Sequence, residues 1–301
     1  MRILLVGKDG QVGWELQRAL QPLGELVAVG RERCDLAQPA QVRETVRSTR
    51  PDLIVNAAAY TAVDQAESEP ALAFAINADA PALLAEEAKR IGAALVHYST
   101  DYVFDGSKPA PYVETDPTGP LSVYGRSKLA GEQAIAAAGV PHLVLRTSWV
   151  YALRGRNFLL TILRLAREKP ELRVVADQRG VPNWSATLAD ATAEILCRAA
   201  SSGGVADALA DRSGVFHLSC RGETTWHGFA CMIVKALRVR GEAPMVAVAP
   251  ISTAEFPTAA RRPANSVLDG GLLARTWGVA LPAWETAFEA CLAAGSAPVG
   301  S

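Results

Sequence analysis

The chain has 301 residues, half of them hydrophobic, and 30 Lys+Arg against 31 Asp+Glu for a formal net charge of −1. That is room for one large α/β domain, or one domain plus a smaller lobe, and the interspersed charge argues against a nucleic-acid tract or an anionic membrane surface as partner. The five cysteines (Cys34, Cys197, Cys220, Cys231, Cys291) are scattered without a CxxC pair, the pattern of free thiols in a reducing cytosol.

The start MRILLVGKDG is too short and wrongly flanked for a signal peptide. No apolar run reaches the roughly 18–20 residues of a membrane span, so the expectation is a cytoplasmic protein. RILLVG (2–7) is a continuously apolar run ending in glycine, which predicts a strand buried on both faces. Helical spacing follows over 12–20, then strand 25–30, helix 39–49, strand 51–59, helix 70–92, strand 93–100, helix 127–139 and strand 142–150. Strands alternating with helices predict βαβ units and a Rossmann-like, doubly wound parallel sheet over residues 1–150. Beyond 150 the rhythm changes to a smaller mixed α/β lobe (151–301), with elements near 171–200 and GVFHLSC (214–220) returning to the sheet. The small-residue run 201–214 reads as a loop, and the last six residues as a frayed end.

GKDGQVG places Gly7, Gly10 and Gly13 directly after the first strand and at the opening of the first helix. Glycines there permit a tight turn and close approach of backbone to a pyrophosphate, and the helix N-terminus supplies free N–H groups and partial positive charge. The end of the second strand reads the adenosine ribose; this chain has Arg31 there rather than an acid, which suits the 2′-phosphate of NADP(H). Asp35 and Leu36, after a further short strand, are placed to hold the adenine edge. Ala57, Ala58 and Ala59, small residues after a buried strand, let a cofactor ribose lie close.

HYSTDYVFDG ends a strand with Ser99 and Thr100, and YGRSKLAGE carries Tyr124 and Lys128 one helical turn apart. Carbonyl reduction needs a hydroxyl to polarise the carbonyl oxygen, a proton donor, and a group that makes the donor acidic enough; Thr100, Tyr124 and Lys128 meet those needs in turn. YxxxK alone also describes a solvated helix face. Combined with the glycine loop and a threonine at a strand end, it points to catalysis.

Together, GKDGQVGWELQ, NAAAYTAVDQAESEP, HYSTDYVFDG, VYGRSKLAGE, RTSWVY and RRPANSVLD closely resemble the dTDP-4-dehydrorhamnose reductase family of the extended short-chain dehydrogenase/reductase superfamily, over residues 1 to about 290. The resemblance implies NADPH-dependent reduction, with NADH as a second donor, of the C4 ketone of dTDP-4-dehydro-β-L-rhamnose to dTDP-L-rhamnose. It makes 1–150 the NADP(H)-binding domain and 151–301 mainly the substrate-binding lobe. It makes Tyr124 the proton donor, Lys128 its tuner and ribose anchor, and Thr100 the partner of the sugar carbonyl. Gly7, Gly10, Gln11 and Val12 then cradle the pyrophosphate, and Ala57 to Ala59 line the nicotinamide side. Trp149 contacts the deoxysugar, Arg262 and Asn265 the nucleotide diphosphate side, and Asp101 and Tyr102 shape the sugar pocket.

Some members of that family hold a metal at a dimer interface through three carboxylates. The matching positions here are Glu15, Ala186 and Ala294, and alanine cannot ligate. No metal is therefore expected, and a monomer or weak homodimer is. The alternatives are a related nucleotide-sugar 4-ketoreductase, epimerase or dehydratase on the same scaffold, or a non-catalytic NADP-binding subunit. A dehydratase commonly carries an Asp-Glu pair beside the threonine, where this chain has Asp101-Tyr102.

Overall fold

The computed structural model describes residues 1–201, 203–241 and 246–296. Its first half comprises β1 (Arg2–Val6), α1 (Gln11–Leu20), β2 (Glu25–Val29), α2 (Pro39–Thr49), β3 (Leu53–Asn56), the short α3 (Val63–Ala66) and α4 (Pro70–Phe74), α5 (Ala80–Ile91), β4 (Ala94–Thr100), α6 (Val123–Ala138) and β5 (His142–Thr147). Then come β6 (Val150–Tyr151), α7 (Phe158–Glu168), β7 (Glu171–Val175), β8 (Arg179–Gly180), β9 (Asn183–Trp184), α8 (Ser185–Ala200), α9 (Val205–Asp211) and β10 (Gly214–His217). The chain ends through β11 (Thr224–Thr225), α10 (Trp226–Val239), β12 (Ala247–Ile251), α11 (Gly271–Trp277) and α12 (Trp284–Ser296).

Six strands form the central sheet in the order β10-β5-β4-β3-β1-β2, every neighbouring pair parallel. The continuous apolar runs in the sequence have a direct cause: alternate side chains of each strand enter different cores. Ile3 and Leu5 join the layer with Leu16 and Leu20 of α1 and Leu188, Ile195 and Leu196 of α8. Leu4 and Val6 join Val42 and Val46 of α2, Leu83 and Leu84 of α5 and Ile135 of α6. Each such side chain contributes about 1.5–3 kcal/mol on burial, and burial of both faces is what favours a parallel sheet. The chain leaves β1 toward β2 and returns across it to β3. The switch point therefore lies between β1 and β3, and a crevice opens beyond their carboxyl ends.

The second half contributes β10 to that sheet and α8 to its flank, while β7 pairs with β12 in a separate two-stranded parallel sheet. Residues 201–214 do not stay a loop as their composition suggests. Val205, Ala208 and Leu209 bury an apolar edge, and this turns the segment into α9. Ser202 and residues 297–301, which include most of the expected frayed end, lie outside the described residues. The short strand expected before Asp35 is instead a turn over residues 31–33, with Gly30 O accepting from the amides of Arg33 and Cys34. The single helix read over 70–92 is interrupted by a π-helical turn, Ala75–Asp79, between α4 and α5. Among the described residues, no helix is long and apolar enough to cross a membrane.

Candidate active site

A cleft of about 670 Å³ lies over the switch point, lined by Gly7, Gly10, Gln11, Val12, Arg31, Asp35, Leu36, Ala57 to Ala59, Tyr124 and Lys128. Gly7 sits at φ +92°, and a Cβ there would lie 2.7 Å from Ala58 N. The β1–α1 loop is thus pressed against the alanines that follow β3. A Cβ on Gly13 would meet Gly7 O at 1.9 Å, so α1 packs directly on the loop. Among the described residues, no side chain caps the start of α1, which leaves its first amides for a ligand. This cradle fits a dinucleotide pyrophosphate.

At its outer rim Arg31 is 78% exposed and its Nε donates to Asp35 Oδ2 at 3.2 Å. Asp35 is occupied further by the amide of Ala37. Its carboxylate is therefore bound up in the rim, and Arg31 is the exposed cation beside it.

The catalytic candidates come from two elements. Thr100 is the last residue of β4, and Tyr124 lies in the first turn of α6, which is held by Ser122 Oγ accepting from Gly125 N at 3.1 Å and by Glu67 accepting from Val123 N at 2.7 Å. The Thr100 hydroxyl stands beside the Tyr124 phenol. Burial pushes the Tyr124 phenol up to about 12, against the Thr100 hydroxyl and with the Asp101 carboxylate. Thr100 Oγ1 accepts from Tyr102 N at 3.1 Å and donates to Asp101 Oδ1 at 3.0 Å. Asp101 is itself buried, and burial raises its carboxyl to about 6. Tyr102 meets Tyr124 edge to face at 5.6 Å, and Arg262 reaches Tyr102 while its two terminal nitrogens grip Asp64 at 3.1 and 2.7 Å.

Lys128 departs from the sequence expectation. Its Nζ donates to Tyr98 O at 2.6 Å and lies 3.0 Å from His97 Nε2, and it is not among the groups that shift Tyr124. In this state burial, not the lysine, governs the phenol. The strand carbonyl offers a fully buried ammonium or amine a closer partner than Tyr124 does.

Asn265 also departs. Its amide donates to Lys108 O and Ala110 O, and its Oδ1 accepts from Val267 N. All its polar atoms tie down loop backbone and leave none to face the cleft. Trp149 holds φ +43° and stacks on Trp226 with ring centroids 3.6 Å apart, outside the cleft lining. Glu15, Ala186 and Ala294 do meet, on a separate surface pocket. Among the described residues, no group of three or more His, Cys, Asp or Glu gathers as a metal site.

The sequence reading missed the buried polar layer beneath the cleft. Glu132 of α6 takes two nitrogens of Arg146 at 2.6 to 3.2 Å and the hydroxyl of Ser99 at 2.5 Å. Asn56 bonds His97. Asn56 did carry a signal, as a polar residue closing the apolar strand LIVN.

Comparison with known proteins identifies the family. The family described as "RmlD substrate binding domain" matches residues 1–296. A dTDP-4-dehydrorhamnose reductase of Burkholderia thailandensis is 50% identical over 295 residues, 97% of this chain and 98% of that one. The crystal structure of a dTDP-4-dehydrorhamnose reductase from Clostridium acetobutylicum superposes with TM-score 0.89 at 34% identity, covering 99% of this chain and 100% of the other. That of the Bacillus anthracis enzyme, in complex with NADP, has TM-score 0.85 at 35% identity, covering 97% and 99%. A family match over nearly the whole chain and a relative 50% identical over 97% of it lead to one conclusion: this chain belongs to the dTDP-4-dehydrorhamnose reductase family of NAD(P)H-dependent oxidoreductases.

Proposed function

We propose that this protein reduces the C4 ketone of dTDP-4-dehydro-β-L-rhamnose to dTDP-L-rhamnose with NADPH, the last step in making that nucleotide sugar. The observation that carries the reading is that Tyr124, with the Thr100 hydroxyl beside it, lines a glycine-rich cleft together with Lys128. When bound there, NADPH supplies the hydride. Gly7, Gly10, Gln11 and Val12 would hold its pyrophosphate, Ala57 to Ala59 its nicotinamide side, and Arg31 its 2′-phosphate, as a guanidinium fork suits.

Tyr124 is a neutral phenol at physiological pH, the form that a reduction requires of its acid. It delivers its proton to the carbonyl oxygen as charge develops there. Thr100 keeps accepting from Tyr102 N, so its own proton is the one that moves from Asp101 to the substrate oxygen. Lys128, which lines the cleft, would anchor the ribose and steady the phenolate with protons that Tyr98 O does not use. Tyr102 and Arg262 border the sugar on the Tyr124 side, with Trp149 a contact farther out. A cytoplasmic site of action and a monomer or weak homodimer go with this reading. Asp101 is followed by Tyr102 rather than a second carboxylate, which disfavours dehydration.

The test is NADPH oxidation, followed by absorbance, with dTDP-4-dehydrorhamnose generated by an upstream epimerase. Turnover is expected. A folded, NADPH-binding protein that leaves this substrate untouched would overturn the proposal.

A further inference from the structure

Beneath the cleft, a chain of hydrogen bonds runs from Ala58 to Lys128. Ala58 N donates to Asn56 Oδ1 at 3.1 Å. A backbone N–H can only donate, so the Asn56 amide is oriented: its oxygen faces Ala58 and its Nδ2 faces His97 Nδ1, at 3.1 Å. Asn56 and His97 are register partners on β3 and β4, which places the two rigidly side by side. An NH₂ facing Nδ1 requires Nδ1 to accept, so the ring proton of a neutral imidazole sits on Nε2. Nε2 lies 3.0 Å from Lys128 Nζ. Asn56, His97 and Lys128 are all at most 1% exposed, so two donors placed head to head there would be costly.

We propose that His97 is the positioning residue for Lys128: pinned by Asn56 as the Nε2–H tautomer, it donates to the uncharged Lys128 amine in the cofactor-free protein and holds that side chain parked against the Tyr98 carbonyl. Every donor in the chain then points one way, from Ala58 to Lys128, and Lys128 closes it by accepting on its lone pair while giving one of its own protons to Tyr98 O. An ammonium at Lys128 would oppose the Nε2–H, and moving the ring proton to Nδ1 would oppose the Asn56 amide.

Burial brings Lys128 down to about 8, with Glu132 working against it, so the uncharged amine of this arrangement is the major form only above about pH 8. Burial first, and Lys128 wherever it is charged, holds His97 well below its ordinary range, in line with a neutral ring. The other charged and titratable groups around the pair are few. Glu132, one turn on along α6, is neutralised by Arg146 of β5, and Tyr124, one turn back, is a neutral phenol beside Asp101. If Lys128 takes up its ribose-anchoring role as an ammonium, cofactor binding carries a proton into the site. That consequence rests on the function proposed above; the tautomer does not.

Long-range ¹H–¹⁵N NMR on cofactor-free, ¹⁵N-histidine-labelled protein at pH 8 reads the tautomer directly. His97 is expected neutral with its proton on Nε2, and a proton on Nδ1, or on both nitrogens, would overturn the proposal. Calorimetric titration with NADPH at pH 8, in buffers of different ionisation enthalpy, reads the proton uptake. Glutamine carries an amide nitrogen near the position of Nε2, whereas asparagine reaches only toward Asn56. His97→Gln is therefore expected to keep the uptake and His97→Asn to lose at least about half of it. Equal uptake in all three proteins would show that His97 does not govern Lys128. The tautomer measurement needs no variant and decides the matter if His97→Asn fails to fold. A protein with the expected tautomer and uptake that does not reduce the sugar nucleotide would leave this inference standing and remove the functional one.

Discussion

Tyr124 and Thr100 stand beside each other although they lie on different elements, one at the start of α6 and the other at the end of β4. In the proposed function they serve one incoming oxygen as proton donor and polarising hydroxyl. Tyr124→Phe removes the donor but none of the cleft's other lining. It is expected to keep NADPH affinity and lose at least about 100-fold in kcat, the usual scale of general acid catalysis. A near-normal rate would remove Tyr124 from its role. Thr100→Ser, which keeps the hydroxyl and its Tyr102 amide contact, is expected to lose far less than Thr100→Val.

Arg31 stands mostly in solvent at the cleft rim, tied to Asp35. If it reads the 2′-phosphate, Arg31→Ala raises KM for NADPH by about tenfold or more, the equivalent of one charge-assisted contact, and leaves KM for NADH nearly unchanged. Equal effects on the two cofactors would mean that Arg31 faces solvent only.

Glu132 of α6 and Arg146 of β5 form a buried ion pair, each about 4% exposed. Removing one partner strands the other's charge. Arg146→Met is expected to cost about 3–5 kcal/mol of stability in urea denaturation, and the Arg146→Met, Glu132→Leu double variant to recover much of it. A single variant within about 1 kcal/mol of the parent would show that the pair contributes little.

Asp101 gives a pH signature. Its carboxyl rises on folding from 3.8 to about 6 through burial, so the folded protein holds a proton that the unfolded chain releases between those values. The resulting stability is complete below the unfolded value and is lost as pH rises through about 6. Asp101→Asn has no such proton. The melting temperature of the parent relative to this variant should therefore fall between pH 4 and pH 7; a constant difference would mean that Asp101 titrates as an ordinary carboxyl.

The parts of the site that depend on local backbone chemistry were legible in sequence. Gly7, Gly10 and Gly13 follow a strand and open a helix, and Tyr124 and Lys128 are fixed by one helical turn. The parts that depend on tertiary register were not. Asn56 and His97 become neighbours only because β3 pairs in parallel with β4. Lys128 parks against Tyr98 O because β4 runs beneath α6, a choice that YxxxK spacing cannot express. Asn265 looked like a ligand residue because its loop composition is the same whether its amide faces a substrate or the carbonyls of Lys108 and Ala110. The 201–214 run misled for a related reason: small residues weaken a helix signal in isolation, while tertiary burial of Val205 and Leu209 supplies what propensity lacks.

The π-helical turn at Ala75–Asp79 has a bearing on which insertions and deletions this chain can tolerate. Its extra residue brings Asn77 round to bond both backbone groups of Tyr60, at 2.9 and 3.0 Å, and Ser127 Oγ at 3.0 Å. One side chain thereby ties the loop after Ala57 to Ala59 to α6. Deleting a single residue from the turn would restore a plain α-helix and rotate α4 by about 100° relative to α5. A side chain between α4 and α5 would then swing away from both partners at once. Length in this stretch is thus constrained as tightly as residue identity is at Tyr124, although no side chain of the turn does chemistry.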